Sequence, residues 1–347
     1  MNRLTFGLVT ALAGSATGAA QIAPAPPASY EAVLSLYASG EHQAAVEQLA
    51  RFDWKTLDQG FGRLRAEVGR AGHCPECPDT VAEPIRAAAM LHLDRDLAEN
   101  PPHQNVEQKP LCGGRHAQRA MEYADLLATR DRTRDFARRF ILAMTWRAEW
   151  DACLDQARTW ARAGLSAFPE DPELRLALGV SHEKVARIAT KDPKRVLREA
   201  RRELSRVVEA APDHLAAGVH LGRVWWRLGF PVEAQRAFEA VVAKSGDIAP
   251  RYLAYVFLGQ AHERAGRGAA AVQAYRSALA LLPDGQVAAL GLAHALLIQG
   301  DTGGAAIAAE RALSSKGAAP DPHRDYNADN ALGASALFDA LRRESRQ

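Results

Sequence analysis

Apolar and small residues recur along positions 138–319 with a helical period. In residues 255–283, YVFLGQAHERAGRGAAAVQAYRSALALLP, positions Tyr255, Leu258, Gly259, Ala271, Tyr275 and Ala278 fall on two arms separated by Gly266. Spacings of three and four place one apolar stripe on each of two helices. Gly259 and Ala271 let the helices approach closely, and the larger residues fill the seam beside them. Gly266 permits the turn and Pro283 stops the second helix. The pattern repeats upstream at Gly218, Leu221, Gly222, Trp225, Ala234 and Phe238, and downstream at Ala289, Leu292, Ala293, Leu296, Ala305 and Ala312. Leu178, Gly179, Ala200, Leu204 and Pro212 form another copy. About nine extra residues, around ATKDPKR, are expected between its helices. Ile141, Met144, Thr145, Ala157, Ala161 and Pro169 form a fifth. The step from Thr145 to Gly179 is 34 residues, as is that from Gly259 to Ala293.

These residues follow W-x₂-L-G-x₂-Y…A-x₃-F…A…P, with His262 where an aromatic is preferred. The region therefore resembles the tetratricopeptide repeat family. The resemblance implies an all-α, right-handed solenoid of helical hairpins around a concave groove, with repeats at about 138–171, 172–214, 215–251, 252–285 and 286–319. It also implies that the first helix of each hairpin lines the groove. Beside the packing stripe, that helix carries Leu142-Trp146-Glu149, Leu176-Val180-Glu183, Val219-Arg223-Trp226, Val256-Gln260-Glu263 and Leu290-His294-Leu297, flanked by Trp150, Lys184, Arg227, Arg264 and Ile298. The candidate partner-binding residues are Trp146, Trp150, Arg223, Trp226, Arg227, Gln260, Glu263, Arg264 and His294. Aromatic and Arg side chains on an exposed wall are what protein-binding hot spots favour. Arg223 and Trp226 lie outside the packing stripe and are expected to be dispensable for folding, whereas Trp225 lies on it. Some members of the family grip a terminal carboxylate in the groove. The head of each stripe here is Leu or Val, so that activity does not carry over.

Residues 29–133 follow the pattern less closely. ASYEAVLSLYASGEHQAAVEQL reads as a hairpin, and 80–98 and 115–130 read as helices, with Met90, Leu93 and Leu97 on one face of the first. At the far end, Asn327 or Asp329 is expected to cap a helix over 329–343 that lids the last repeat.

Residues 1–20, MNRLTFGLVTALAGSATGAA, have a positive start, a short apolar core and small residues Gly18 and Ala20, the layout of a secretory signal peptide cut before Gln21. Residues 21–28 then form a Pro/Ala-rich leader. No stretch is long and apolar enough to span a bilayer. The reading is thus an exported bacterial protein of the periplasm or exterior.

Charge adds little, because 43 basic and 41 acidic residues nearly cancel and give no general pull toward nucleic acid. Catalytic signatures do not appear. His182-Glu183 and His262-Glu263 begin an H-E-x-x-H motif that Ala186 and Gly266 leave incomplete. No cofactor is expected. The remaining chemistry is cysteine. Cys74 and Cys77 sit in HCPECP, with Cys112 and Cys153 further on. A zinc site would draw on Cys74, Cys77, Cys112 and His116. In an exported chain, disulfides are the default. An antiparallel hairpin of helices 115–130 and 134–150 would bring Cys112 to Cys153, leaving Cys74 to Cys77.

The sequence therefore predicts a non-catalytic envelope scaffold or adaptor that binds a protein or peptide in its groove. Two alternatives remain open. One is a redox or zinc-dependent accessory centred on Cys74 and Cys77. The other is a cell-wall polysaccharide binder that stacks sugars on Trp146, Trp150 and Trp226.

Overall fold

A computed structural model describes residues 29–71, 82–99, 112, 114–129, 133–150, 152–314, 321–325 and 337–343. The signal-peptide segment, the leader, Cys74 and Cys77 lie outside the described residues.

The described residues are helical and contain no strand. Five hairpins follow one another. They are α6 (Arg134–Trp150) with α7 (Leu154–Ala167), α8 (Pro172–Ile188) with α9 (Pro193–Ala210), α10 (Leu215–Leu228) with α11 (Pro231–Val242), α12 (Ile248–Arg264) with α13 (Gly268–Leu281), and α14 (Gln286–Ile298) with α15 (Thr302–Ser314). Each helix packs on the next, and first helices also touch across hairpins, α6 on α8, α10 on α12 and α12 on α14.

The small positions act as the pattern requires. A Cβ on Gly222 would stand 2.4 Å from the Phe238 ring, and one on Gly259 would stand 2.5 Å from the Tyr275 ring. Both rings are buried, so these glycines fix how closely the paired helices approach. Gly229 and Gly266 take left-handed backbone, at φ 91° and 69°, in the turns between arms. The extra residues of the second hairpin behave differently from expectation. They do not form a loop. Asp192 caps α9 by accepting from the Arg195 N–H at 3.1 Å, Pro193 opens the helix, and the added length becomes helix.

Ahead of the hairpins stand α1 (Tyr30–Ala38), α2 (His42–Leu49), α3 (Trp54–Ala71), α4 (Ala82–Glu99) and α5 (Arg115–Ala128). Helix α3 escapes the sequence reading because Gly60, Gly62 and Gly69 interrupt its apolar period. Gly60 nevertheless has a packing role, since a Cβ there would meet the Tyr30 ring at 2.4 Å.

The far end also departs from expectation. Residues 321–325, with α16 (Pro322–Asp325), lie on α12 and the start of α14. Asp321 accepts there from Tyr252 Oη at 2.7 Å and the Val287 N–H at 2.8 Å. Residues 337–343 form α17, which does not lid the last hairpin. Phe338 and Leu341 are buried in the N-terminal core, with Phe338 edge-on to Phe140. Arg342 meets Asp94 of α4 at 2.5 Å, and Tyr37 donates to the same carboxylate at 2.5 Å. The chain end thus returns to the first half of the solenoid.

Candidate functional site

Along the concave stripe, burial sorts residues that look equivalent in sequence. Glu149 and Glu183 are buried, not groove-facing. Glu149 accepts from Ser181 Oγ and from Lys184 Nζ, the latter at 3.1 Å. Glu183 accepts from His220 Nδ1 at 2.8 Å, and Arg223 Nε stands 3.4 Å away. Arg227 donates to the Glu183 carbonyl at 2.9 Å. Burial pushes the Glu183 carboxyl up, but Arg223, His220 and Arg227 outweigh it and hold the group below its usual range. Arg223 therefore pairs with a buried carboxylate, a contact that its place outside the packing stripe did not foretell.

Glu263 is a brace between hairpins. It accepts from Tyr275 Oη at 2.9 Å and from His294 Nδ1 at 2.9 Å, so neither Glu263 nor His294 lines the pocket. Trp146 packs partly buried against the N-terminal core, and the side chain of Trp150 lies outside the described residues. Of the tryptophans expected to form a sugar-stacking wall, Trp146 packs against the N-terminal cluster and Trp226 against that of the later hairpins. Trp225, expected as a buried seam residue, is half-buried, edge-on to Phe230 and covered by the Arg201 guanidinium.

A cavity of about 320 Å³ does form between α10 and α12. It is lined by Arg223, Trp226, Arg227, Gln260 and Arg264, the centre of the predicted set, together with Phe238, Phe257 and His323. The Arg264 guanidinium lies 4.9 Å over the Trp226 ring, and that of Arg223 lies 5.4 Å over Phe257. Three guanidiniums thus face one cavity, and the neighbouring carboxylate, Glu183, is buried behind it. Such a pocket suits an anionic group next to an apolar one. Phe257 was missed because it directly follows the stripe position Val256. His323 was missed because only the folded chain end brings it there.

The fallback zinc set is not assembled. Cys112 is bonded to Cys153 and has no thiolate to give. His116 is buried, tilted against Trp54 at 4.7 Å, with its Nδ1 2.8 Å from His92 Nδ1. Burial moves His116 down to about 4, and burial with the nearby His116 and Arg119 holds His92 well below the imidazole range. The pair is neutral at physiological pH. With Tyr30 and Tyr123, whose hydroxyls lie 2.8 Å apart, it forms a satisfied polar layer between α1, α4 and α5. Among the described residues no group of three or more His, Cys, Asp or Glu could hold a metal, and no helix is long and apolar enough to cross a membrane.

Residues 221–286, which hold α11, α12, α13 and most of this cavity, match the tetratricopeptide repeat family. These residues carry tetratricopeptide repeats. No curated protein matches it. Among solved structures, the crystal structure of MamA is similar at 20% identity over 49% of this chain and 92% of that one, with a TM-score of 0.41. MamA 41-end from Desulfovibrio magneticus RS-1 is similar at 19% over 52% and 94%, with a TM-score of 0.42. PilF of Pseudomonas aeruginosa is similar at 16% over 60% and 93%, with a TM-score of 0.46. The repeats make the chain a scaffold of the protein-interaction kind.

Proposed function

We propose that this chain is a non-catalytic adaptor of the cell envelope that holds a protein or peptide partner in its concave groove, centred on the α10–α12 cavity. The observation that carries this reading is the convergence of Arg223, Arg227, Arg264, Trp226 and Phe257 on one cavity. Arg264 is the cleanest probe, because it is exposed and forms no ion pair on which the helices depend. Arg264→Glu should leave the melting temperature within a degree or two while weakening capture of a partner from envelope extract by about 1–2 kcal/mol. Arg223→Ala should instead lower stability, by about 1.5–3 kcal/mol, because it strips a charged partner from buried Glu183. If folded Arg264→Glu and Trp226→Ala proteins capture the same partner as well as wild type, the groove is not the contact site.

Export is part of the proposal. It is supported by the charged, briefly apolar start, and by the Cys112–Cys153 bridge, since disulfides persist in oxidising compartments. N-terminal sequencing of the protein from its native host should find a mature chain starting at or within a few residues of Gln21. Recovery of the full chain, Met1 included, from the cytosol would contradict export.

A further inference from the structure

The head of α14 is capped from a distance. Helices α8 and α9 open on their own Asp171 and Asp192, each of which accepts a backbone N–H of the first turn. Gly285, before α14, has no side chain to offer. The Val287 N–H is taken instead by Asp321 Oδ2 at 2.8 Å, from 34 residues away, and the Ala288 N–H by Tyr252 Oη at 3.3 Å. Tyr252 Oη in turn donates to the same Asp321 oxygen at 2.7 Å. The other oxygen, Oδ1, accepts from the His323 N–H at 2.8 Å and bends the chain into α16. One buried carboxylate thus closes a local turn and fastens it to α12 and α14.

The turn reaches the cavity. His323 lines it and lies against Phe257, with ring centres 5.6 Å apart, on the same ring that carries the Arg223 guanidinium. Burial and Arg223 push the His323 imidazole down, against the pull of Asp321, so the ring is neutral at physiological pH and sits near a guanidinium without repulsion. The hold is nevertheless slight. Helix α16 is one turn of four residues, and Pro322 and His323 are only half-buried. A turn of that size buries little apolar area. Its carboxylate and its ring are groups that a separate peptide can also bring.

We infer that residues 321–325 are a peptide ligand held in cis, and that the partner enters the groove by displacing them with a turn of the same kind. That turn would present a carboxylate to Tyr252 and the head of α14 and, two residues on, a neutral ring to Phe257. The inference rests on the groove being the contact site, and adds what the partner carries and what it must dislodge. A segment tethered to its site acts at an effective concentration on the order of millimolar, so a separate copy of the turn competes poorly with it.

Fluorescence anisotropy of a labelled peptide of residues 319–326, APDPHRDY, tests this on the full chain. Asp321→Ala with His323→Ala removes both groups of the cis segment and leaves Tyr252, Phe257 and α14 in place. The peptide should bind this variant at least about tenfold more tightly than wild type. It should also raise the melting temperature of the variant and slow exchange of its Val287 amide. A peptide carrying Asp321→Ala should lose that binding, because nothing then caps α14. Asp321→Asn, which keeps an acceptor oxygen at α14, replaces the double variant if the latter does not fold, and should show the same preference by a smaller factor. Three results would overturn the inference: no peptide binding to any folded variant, equal binding to variant and wild type, or equal binding of the two peptides. The probe is this chain's own sequence, so the outcome is separate from envelope capture by Arg264→Glu and Trp226→Ala, which decides the adaptor reading.

Discussion

Cys112→Ser is expected to destabilise the first half of the solenoid by about 4 kcal/mol and to leave the last two hairpins almost untouched. The bridge to Cys153 closes a loop of 41 residues that includes all of α5 and α6. Closing a loop of that length removes conformational freedom mainly from the unfolded chain, which is where the magnitude arises. Cys112 is exposed, so its replacement adds no buried polar group, whereas a change at buried Cys153 would mix the two effects. Because each repeat contacts only its neighbours, the loss should remain local. Amide exchange should accelerate in α5–α7 and stay slow in α12–α13. Reductant should reproduce the effect on the native chain. Equal melting with and without reductant would show that the bridge constrains nothing.

Tyr275→Ala is expected to remove about 3–5 kcal/mol. The ring is 1% exposed and fills the space that Gly259 and Gly291 leave, since a Cβ on either would come within 2.5 Å of it. It also ties three helices together, donating from Oη to Glu263, which in turn holds His294 of the next hairpin. Burial and the Glu263 carboxylate both raise the Tyr275 phenol, so it stays protonated and can donate at any physiological pH. Tyr275→Phe keeps the volume and loses only that bond, so about 1 kcal/mol should go. Gly259→Ala should also destabilise, by about 1–3 kcal/mol, although Ala is the better helix former, because the added methyl meets a ring that cannot move. Urea titration followed by circular dichroism distinguishes these. A Tyr275→Ala protein as stable as Tyr275→Phe would mean that the ring is not packed as described.

Much of the fold was legible because it is periodic. Gly222, Gly259, Phe238 and Tyr275 recur at one spacing, and close helix contact needs small opposite large wherever it occurs. The Cys112–Cys153 pairing was legible for a related reason, since an antiparallel hairpin brings the start of its first helix to the end of its second. The candidate site was half legible. Arg223, Trp226, Arg227, Gln260 and Arg264 do meet at one cavity, because residues one turn or one repeat apart are neighbours on a solenoid wall. Periodicity could not tell which positions of the stripe are solvated. Glu183 and Trp226 occupy the same place in the pattern, yet one is sealed beneath His220, Arg223 and Arg227 and the other lines the cavity.

The sequence by itself determined the helical hairpins, their order and the side of each that packs, since these depend on residues within about one repeat of each other. Only the tertiary structure decided which ion pairs are buried, that His323 closes the cavity beside Phe257, and that α17 crosses to Asp94 and Phe140. Those outcomes join residues far apart in the chain. They turn on which distant surfaces bury the most apolar area and satisfy each charge, a comparison of whole arrangements that no local spacing records.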